Sequence, residues 1–122
     1  MDQPTLNDII DKIKSRADFS KVGMIVCHNG VVRGSSRSGQ PVQYLDIDVD
    51  ANRWERVLEE LRAEPGIIAL EAYLFTGRRF VGQDVMFIAV AGDIRERVLP
   101  VLEKAINRLK AEAVKKQEKL LL

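Results

Sequence analysis

The sequence has a single cysteine and a single histidine, and both shortages narrow its chemistry. With Cys27 alone, the chain can form no internal disulfide and no metal site built from several cysteines. His28 follows Cys27 directly, and adjacent residues of a strand point to opposite faces, so these two side chains cannot act as a nucleophile and its base. We interpret His28 as a structural or pocket-lining residue, and we predict no bound metal and no cofactor.

An excess of one charge and long apolar runs are also missing. The 19 basic and 18 acidic residues leave a net charge of +1, so no overall field attracts nucleic acid or an acidic membrane. No window reaches the ~18 apolar residues of a membrane span, and the N-terminus has no apolar run of signal-peptide length. We expect a cytoplasmic protein without nucleic-acid or membrane partners, in which any anion site is a local cluster.

No internal repeat or linker divides the chain, so we predict one domain over residues 1–122. Its composition, 46% hydrophobic and 30% charged, is that of a globular protein. Helical spacing and strand alternation of apolar residues predict the order α-β-β-α-β-β-α. The predicted elements are a helix over 5–16, strands over 22–33 and 42–49, a helix over 50–64, strands over 67–75 and 84–91, and a helix from 94 nearly to the C-terminus.

The pairing of these strands follows from their composition. The first two are predicted to form a hairpin with a polar tip over 34–41, and residues 76–83 are predicted to form a basic turn. The fourth strand is nearly all apolar, which is typical of a central strand. Asp50 and Asp93 are candidate caps of the helices that follow them. The predicted fold class is α+β, a mainly antiparallel sheet with helices packed on it.

Three arginines lie where elements begin or end, and they are candidate anion ligands. Arg33 closes the first strand, and Arg37 lies in the glycine- and serine-rich segment after it. Arg95 begins the last helix, where unpaired N–H groups and the helix dipole already favour an anion. The alternative is that all three are solvated surface charges.

One lysine also has a position that suggests chemistry. Lys110 lies at the border of the apolar stripe of the last helix, where it can face a cleft. Desolvation there would lower its pKa and make it a possible base or imine-forming amine. The alternative is a snorkelling lysine on a solvated helix. Lys115 and Lys116 are weaker candidates of the same kind. The segment from Gly77 to Gly82 lacks the Lys-Ser/Thr of a phosphate loop.

These motifs occur together, in order, in one known family. A Gly-x-Val-Arg run is present from Gly30 to Arg33, and a strand that starts after Gly82 leads to Arg95 at the start of a helix. A Leu-Lys pair follows as Leu109 and Lys110, and the segment from Ala113 to Glu118 is similar to a Pro-x-Trp-Lys-x-Glu motif. Over roughly residues 19–118, the chain resembles the large, catalytic subunit of molybdopterin synthase.

The resemblance implies an α/β-hammerhead-like fold and a homodimer. It also implies a partner, a small ubiquitin-like sulfur-carrier subunit whose C-terminal glycine carries a thiocarboxylate. The implied reaction transfers two sulfur atoms from that tail to cyclic pyranopterin monophosphate and forms the dithiolene of molybdopterin. The enzyme would be a sulfurtransferase of molybdenum cofactor biosynthesis.

The resemblance also assigns roles to the candidate residues. Arg33 and Arg95 would hold the phosphate and pterin of the substrate, with Arg37 and His28 as further substrate-binding residues. Lys110 would be the catalytic lysine, and Lys116 or its neighbour Lys115 the second one. In one straight helix Arg95 would lie about 22 Å from Lys110, so a site shared between two subunits is the more natural arrangement.

The sequence departs from the family pattern at several positions. Ile94 replaces the histidine of a His-Arg pair, and residues 74–77 replace a His-Arg-x-Gly motif. His28 replaces an aromatic residue, and Ala113 and Lys115 replace a proline and a tryptophan. Two alternatives therefore stay open: a catalytically degenerate paralogue that acts as a pterin-binding, scaffold or regulatory dimer, and an unrelated α+β dimer that binds a small regulatory ligand.

Overall fold

A computed structural model describes residues 3–121 of the chain. A short 3-10 turn (Phe19–Lys21) follows the first helix, and a π-helical turn (Leu109–Ala113) follows the last. The helices and strands are α1 (Leu6–Lys14), β1 (Met24–Val31), β2 (Val42–Val49), α2 (Ala51–Arg62), β3 (Ile67–Leu74), β4 (Gly77–Phe80), β5 (Asp84–Gly92), α3 (Arg95–Arg108) and β6 (Val114–Leu120).

The predicted fold class is confirmed, and the seven predicted elements occur in the predicted order with two further strands between and after them. β4 lies inside the segment that was predicted to be a basic turn, where Gly77 and Gly82 have positive φ at its two ends. The prediction that the last helix continues nearly to the C-terminus is wrong. The helix ends at Arg108, and the charged tail is the strand β6.

The strands form two antiparallel sheets, with the orders β1-β5-β3 and β4-β2-β6. The predicted hairpin of the first two strands is therefore wrong, because β1 and β2 lie in different sheets. In the segment that joins β1 to β2, Ser35 and Pro41 form an isolated antiparallel β-bridge. β5 is apolar on both faces, so it takes the predicted central position and requires β1 as its second neighbour.

Helices cover both faces of the β1-β5-β3 sheet. α2 and α3 pack on one face, and α1 packs on the other, where Ile9 and Ile13 contact Phe87 and Ala89. Cys27 belongs to the α1 side. The cluster on the α2 and α3 side is made of buried apolar residues from these helices, the π-helical turn, β3 and β5: Trp54, Val57, Leu58, Leu61, Leu70, Met86, Ile88, Val90, Val98, Val101, Ala105, Leu109 and Ala113.

A third apolar cluster joins the two sheets. It contains Val32, Val42, Leu45 and Ile47, and Val114 of β6 packs against it. Because the same Val114 also packs against the large helical cluster, β6 is attached to both parts of the core. The second sheet is thereby held beside the first, with a junction between them. Within residues 3–121, no helix is both long enough and apolar enough to cross a membrane.

Of the two predicted helix caps, the structure confirms the first but not the second. Asp50 caps α2, since its carboxylate accepts a hydrogen bond of 3.1 Å from the amide of Arg53. The cap prediction for Asp93 is wrong by one residue, because Ile94 occupies the cap position of α3 and offers no side-chain acceptor. Asp93 instead accepts from the amide of Ile94 at 2.7 Å and pairs with Arg97 at 3.1 Å.

Candidate functional site

A cavity of about 360 Å³ opens at the junction of the two sheets. The first sheet contributes one wall through β1, β3 and β5, and β2 and β6 form the opposite wall. The π-helical turn and the segment between β1 and β2 complete it. Its lining residues are His28, Gly30, Val31, Arg37, Leu45, Ile47, Leu74, Val85, Met86, Lys110, Val114 and Lys116.

The polar groups of this cavity are cations and one imidazole. His28, Arg37, Lys110 and Lys116 are four of the residues that the sequence singled out, and the fold brings them together from distant segments. No aspartate or glutamate is among the described lining residues. The apolar walls lower the local dielectric, which strengthens the attraction of the cations for an anion. The arrangement suits a negatively charged ligand.

The π-helical turn sets the position of Lys110. Arg108, the last residue of α3, donates two hydrogen bonds to Glu112 at 2.7 and 3.1 Å and forms an ion pair with Glu60 of α2 at 2.9 Å. These carboxylates raise the pKa of Arg108 above its ordinary value. Arg108 thus ties the turn to α2, while Leu109 is fully buried beneath it. Lys110 follows and lines the cavity.

The register of β6 separates the two neighbouring lysines. Lys116 is opposite Ile47 of β2, and Lys115 is opposite Asp48. Residues that face each other across antiparallel strands have side chains on the same side of the sheet. Since Ile47 is buried against the junction, Lys116 shares its side and lines the cavity. Lys115 lies on the outer side, in an open depression with Asp48.

The environment lowers the pKa of two groups in the cavity. The pKa of the Lys110 ammonium is lowered first by partial burial and then by the charges of Lys116 and Arg37. The pKa of the His28 imidazole is lowered by burial and by the charge of Lys110. Both effects favour the neutral forms, so His28 is unprotonated at neutral pH.

The imidazole of His28 is incompletely satisfied. Its Nε2 atom is buried and has no hydrogen-bond partner among residues 3–121. Gly30 lies directly beside it, since a Cβ placed there would be 3.0 Å from this nitrogen. The strand is irregular at this point, with a register shift between Gly30 and Val31. As the adjacent residues of a strand require, His28 faces the cavity while Cys27 packs on the α1 side.

Arg33 lies beside this cavity in a shallower depression of about 510 Å³. Its Nε donates a 2.8 Å hydrogen bond to the carbonyl of Ser35. Arg37 and Lys116 line both the depression and the cavity, which are therefore continuous. The hydroxyl of Ser36 is buried and accepts from the amide of Gln40 at 3.1 Å, which folds the segment around Arg37.

Arg95 is not part of this site within one chain. It lies in the first turn of α3, its side chain is 77% exposed, and it pairs with Glu96 at 3.3 Å.

The sequence did not predict the apolar residues that line the cavity. Leu45 and Ile47 belong to an alternating strand, and nothing in that pattern distinguishes a cavity wall from a core. No group of three or more metal-ligating side chains is present in the described part of the chain.

A model of the family described as MoaE protein matches residues 3–112. The chain belongs to the MoaE protein family. The matched range contains His28, Arg33, Arg37 and Lys110 and ends before Lys116. Curated protein sequences give no significant match.

Solved structures of MoaE proteins have the same fold. A molybdopterin biosynthesis MoaE protein from Burkholderia ambifaria aligns with a TM-score of 0.74 at 22% identity and covers 99% of this chain and 84% of its own. Molybdopterin synthase from Staphylococcus aureus gives a TM-score of 0.71 at 22% identity, with coverages of 83% and 77%. A complex of subunits 1 and 2 of the molybdopterin-converting factor from Helicobacter pylori gives 0.72 at 17% identity, with coverages of 97% and 83%.

Proposed function

We propose that this protein is the large subunit of a molybdopterin synthase. In this role it transfers sulfur from a thiocarboxylated ubiquitin-like small subunit to cyclic pyranopterin monophosphate. The observation that carries the proposal is the cavity at the sheet junction, which gathers Lys110, Lys116, Arg37 and His28 in a chain of the MoaE family. Both reactants are anions, and the cations of the cavity match their charge.

The substrate phosphate is held by arginines in this proposal. Arg33 and Arg37 lie around the depression that continues from the cavity, together with Ser36 and Ser38. Guanidinium groups bind phosphate through paired, charge-assisted hydrogen bonds, and serine hydroxyls add donors. The pterin then lies in the cavity, whose apolar walls accept a flat ring.

The lysines act where sulfur leaves the acyl carbon of the small subunit. Charge develops on the carbonyl oxygen when this carbon is attacked, and an ammonium group within reach stabilises it. Lys110 is the stronger candidate because the π-helical turn directs it into the cavity. Lys116 enters from the opposite wall and contributes a second charge to the same anionic complex.

Arg95 acts in a second copy of the chain in this proposal. Its side chain is exposed at the start of α3, away from the cavity of its own protomer. A homodimer in which the start of α3 reaches the partner's cavity brings Arg95 to the bound substrate. Closed dimers are the commonest oligomers, so this arrangement needs no unusual symmetry.

Single-turnover sulfur transfer tests the proposal. The purified protein is mixed with thiocarboxylated small subunit and cyclic pyranopterin monophosphate, and the dithiolene product is quantified. We expect product from the wild type and a loss of at least ~100-fold in rate for Lys110→Ala, the scale of losing a preorganised charge in an active site. Lys115→Ala is the matched control, because Lys115 lies on the outer side of β6.

The contrary result is also informative. If the folded wild type forms no product under conditions in which another MoaE protein turns over, the synthase proposal is wrong. Binding of cyclic pyranopterin monophosphate without turnover would then favour the degenerate paralogue, for which Ile94 in place of a histidine is the sequence argument.

A further inference from the structure

His28 has an unsatisfied nitrogen in a cavity that otherwise presents cations. Among the described lining residues no carboxylate is present, and the other ionisable groups are Arg37, Lys110 and Lys116. Arginine stays protonated in proteins, and the lysines are cationic unless they are strongly shifted. The imidazole is therefore the natural proton acceptor of this cavity at neutral pH.

Sulfur transfer from a thiocarboxylate creates a need for such an acceptor. When the sulfur of the tail bonds to a carbon of the pterin substrate, a C–O bond at that carbon breaks and its oxygen leaves as water or with the phosphate. The acyl group stays attached to the sulfur, and the product is a thioester between the small subunit and the substrate. Release needs water. The water oxygen bonds to the acyl carbon, the C–S bond breaks, the sulfur leaves on the pterin, and the tail leaves as a carboxylate. A proton of the water must go to a base.

We propose that His28 is this base, and that its Nε2 takes the proton from the water that hydrolyses the acyl intermediate. The inference rests on the proposed synthase function and names a residue for one of its steps. The unpaired Nε2 is the decisive observation, because a buried nitrogen without a partner is destabilising and calls for a water or ligand to satisfy it.

The charges around His28 are consistent with different roles for His28 and Lys110. Burial, and after it the charge of Lys110, lower the pKa of His28 and favour the neutral ring that can accept a proton. In the proposed function the same ammonium stabilises the oxyanion that forms when the water attacks. The proposed base and the proposed oxyanion ligand thus line the same cavity.

Gly30 lies directly against the imidazole. A Cβ at this position would lie 3.0 Å from Nε2 and 3.7 Å from Cε1 of His28, so any larger residue would crowd the nitrogen. Gly30 also lines the cavity. A methyl group there would screen the nitrogen from water without altering the imidazole itself.

The experiment follows the two chemical steps separately in a single turnover. Mass spectrometry of rapidly quenched samples quantifies the acyl intermediate and the released carboxylate form of the small subunit. The variants are His28→Phe, His28→Gln and Gly30→Ala, and Asn29→Ala on the exposed face of β1 is the control. Circular dichroism selects the variants that keep the fold, and the two His28 substitutions, one apolar and one polar, differ in their demands on packing.

We expect the His28 variants to form the acyl intermediate at close to the wild-type rate and to release it ~100-fold or more slowly, the usual effect of losing a general base. Gly30→Ala is expected to slow the same step. In the wild type, release should be constant above the ordinary histidine pKa of about 6.5 and fall in acid with an inflection below it, because protonation removes the base. This inflection should be absent in the His28 variants.

The outcomes separate the two proposals. If the wild type turns over and a folded His28 variant releases the small subunit at the wild-type rate, the role of His28 is wrong and the synthase function stands. If the variants slow sulfur transfer and release equally, His28 binds substrate and is not the base. If the wild type transfers no sulfur, the proposed function fails and the base assignment fails with it.

Discussion

At the scale of single residues, the site is a set of like charges held close together. Arg37 comes from the segment between β1 and β2, Lys110 from the π-helical turn and Lys116 from β6. The pKa of Lys110 is lowered first by partial burial and then by the charges of Lys116 and Arg37. Repulsion within a cluster of cations costs folding free energy, and the anionic substrate of the proposed function would offset that cost.

The titration of Lys110 gives a test that does not depend on activity. Because the charge of Lys116 lowers the pKa of Lys110, we expect Lys116→Met to move that pKa back toward its ordinary value. Lys115→Met should leave it unchanged, since Lys115 is not among the causes of the shift. NMR of the ¹³C-dimethylated lysines measures both. Equal pKa values of Lys110 in wild type and Lys116→Met would contradict the described geometry of the cluster.

The residue scale also shows what a sequence can reveal about a site. The prediction that Lys110 borders a cleft followed from its place beside an apolar stripe, and that pattern survives in the structure. The choice between Lys115 and Lys116 could not be made in the same way, because it depends on which of them faces Ile47 across the sheet. Pairing register is a property of two strands, and the sequence of one strand does not contain it.

At the scale of elements, the π-helical turn is the feature that directs the C-terminal part of the chain. Without it α3 would continue in the direction of its axis, as the periodicity of residues 94–109 predicts. With it the chain leaves α3 after Arg108 and returns along β2 as β6. π-helical turns are rare, but those that occur are often found at functional sites. In this protein the turn contains Lys110, which lines the cavity.

Arg108 is expected to hold this turn in place. Removing it by Arg108→Met leaves Glu112 and Glu60 without their shared cation, and we expect a loss of about 1–2 kcal/mol in the free energy of unfolding, more than an isolated surface pair contributes. The matched control is Arg16→Met. Arg16 makes a similar double hydrogen bond to Asp18, two residues away, and links no two elements, so a smaller loss than that of Arg108→Met is expected.

Urea denaturation of both variants measures these free energies. A loss for Arg108→Met no larger than that for Arg16→Met would show that the turn does not depend on this arginine. The comparison is informative because each arginine binds its carboxylate through two nitrogen atoms at 2.7–3.1 Å.

The elements differ in how well their sequences predict them. Alternation identified β2 with its observed bounds, Val42–Val49, and the apolar run of β5 identified a central strand. β4 and β6 were missed because they lie at sheet edges, where exposed charged residues are tolerated and mask the strand pattern. Their formation depends on β2, which offers a hydrogen-bonding edge to each.

At the scale of the whole molecule, the site exists because two small sheets meet. The sequence predicted the fold class, but it favoured a hairpin of β1 and β2, since consecutive strands usually pair. Central placement of β5 outweighs that tendency, and the chain between β1 and β2 then crosses from one sheet to the other. The cavity lies at this crossing. Knowledge of the elements alone was therefore insufficient to locate the site.

The proposed sharing of the site between two copies is tested by mixing inactive variants. Arg95→Ala and Lys110→Ala are each expected to lack sulfur transfer. If Arg95 serves the partner's cavity, a mixed dimer has one site with both substitutions and one intact site, so random mixing of equal amounts should restore roughly a quarter of the wild-type activity.

No recovery would place both residues in the same protomer or remove Arg95 from the site. Size-exclusion chromatography with differently tagged protomers establishes that mixed dimers have formed. Mixing each variant with itself is the control for activity that arises from handling alone.

The position of β6 at the C-terminal end of the fold has a consequence for the biosynthesis of the protein. The sheet β1-β5-β3 and its three helices are complete once α3 has been translated, whereas Lys110, Val114 and Lys116 emerge from the ribosome after the other residues of the cavity. The wall formed by β6 is therefore the last part of the cavity to be synthesised. The cavity is complete only when β6 has paired with β2 along the register from Val49 and Val114 to Val42 and Leu120.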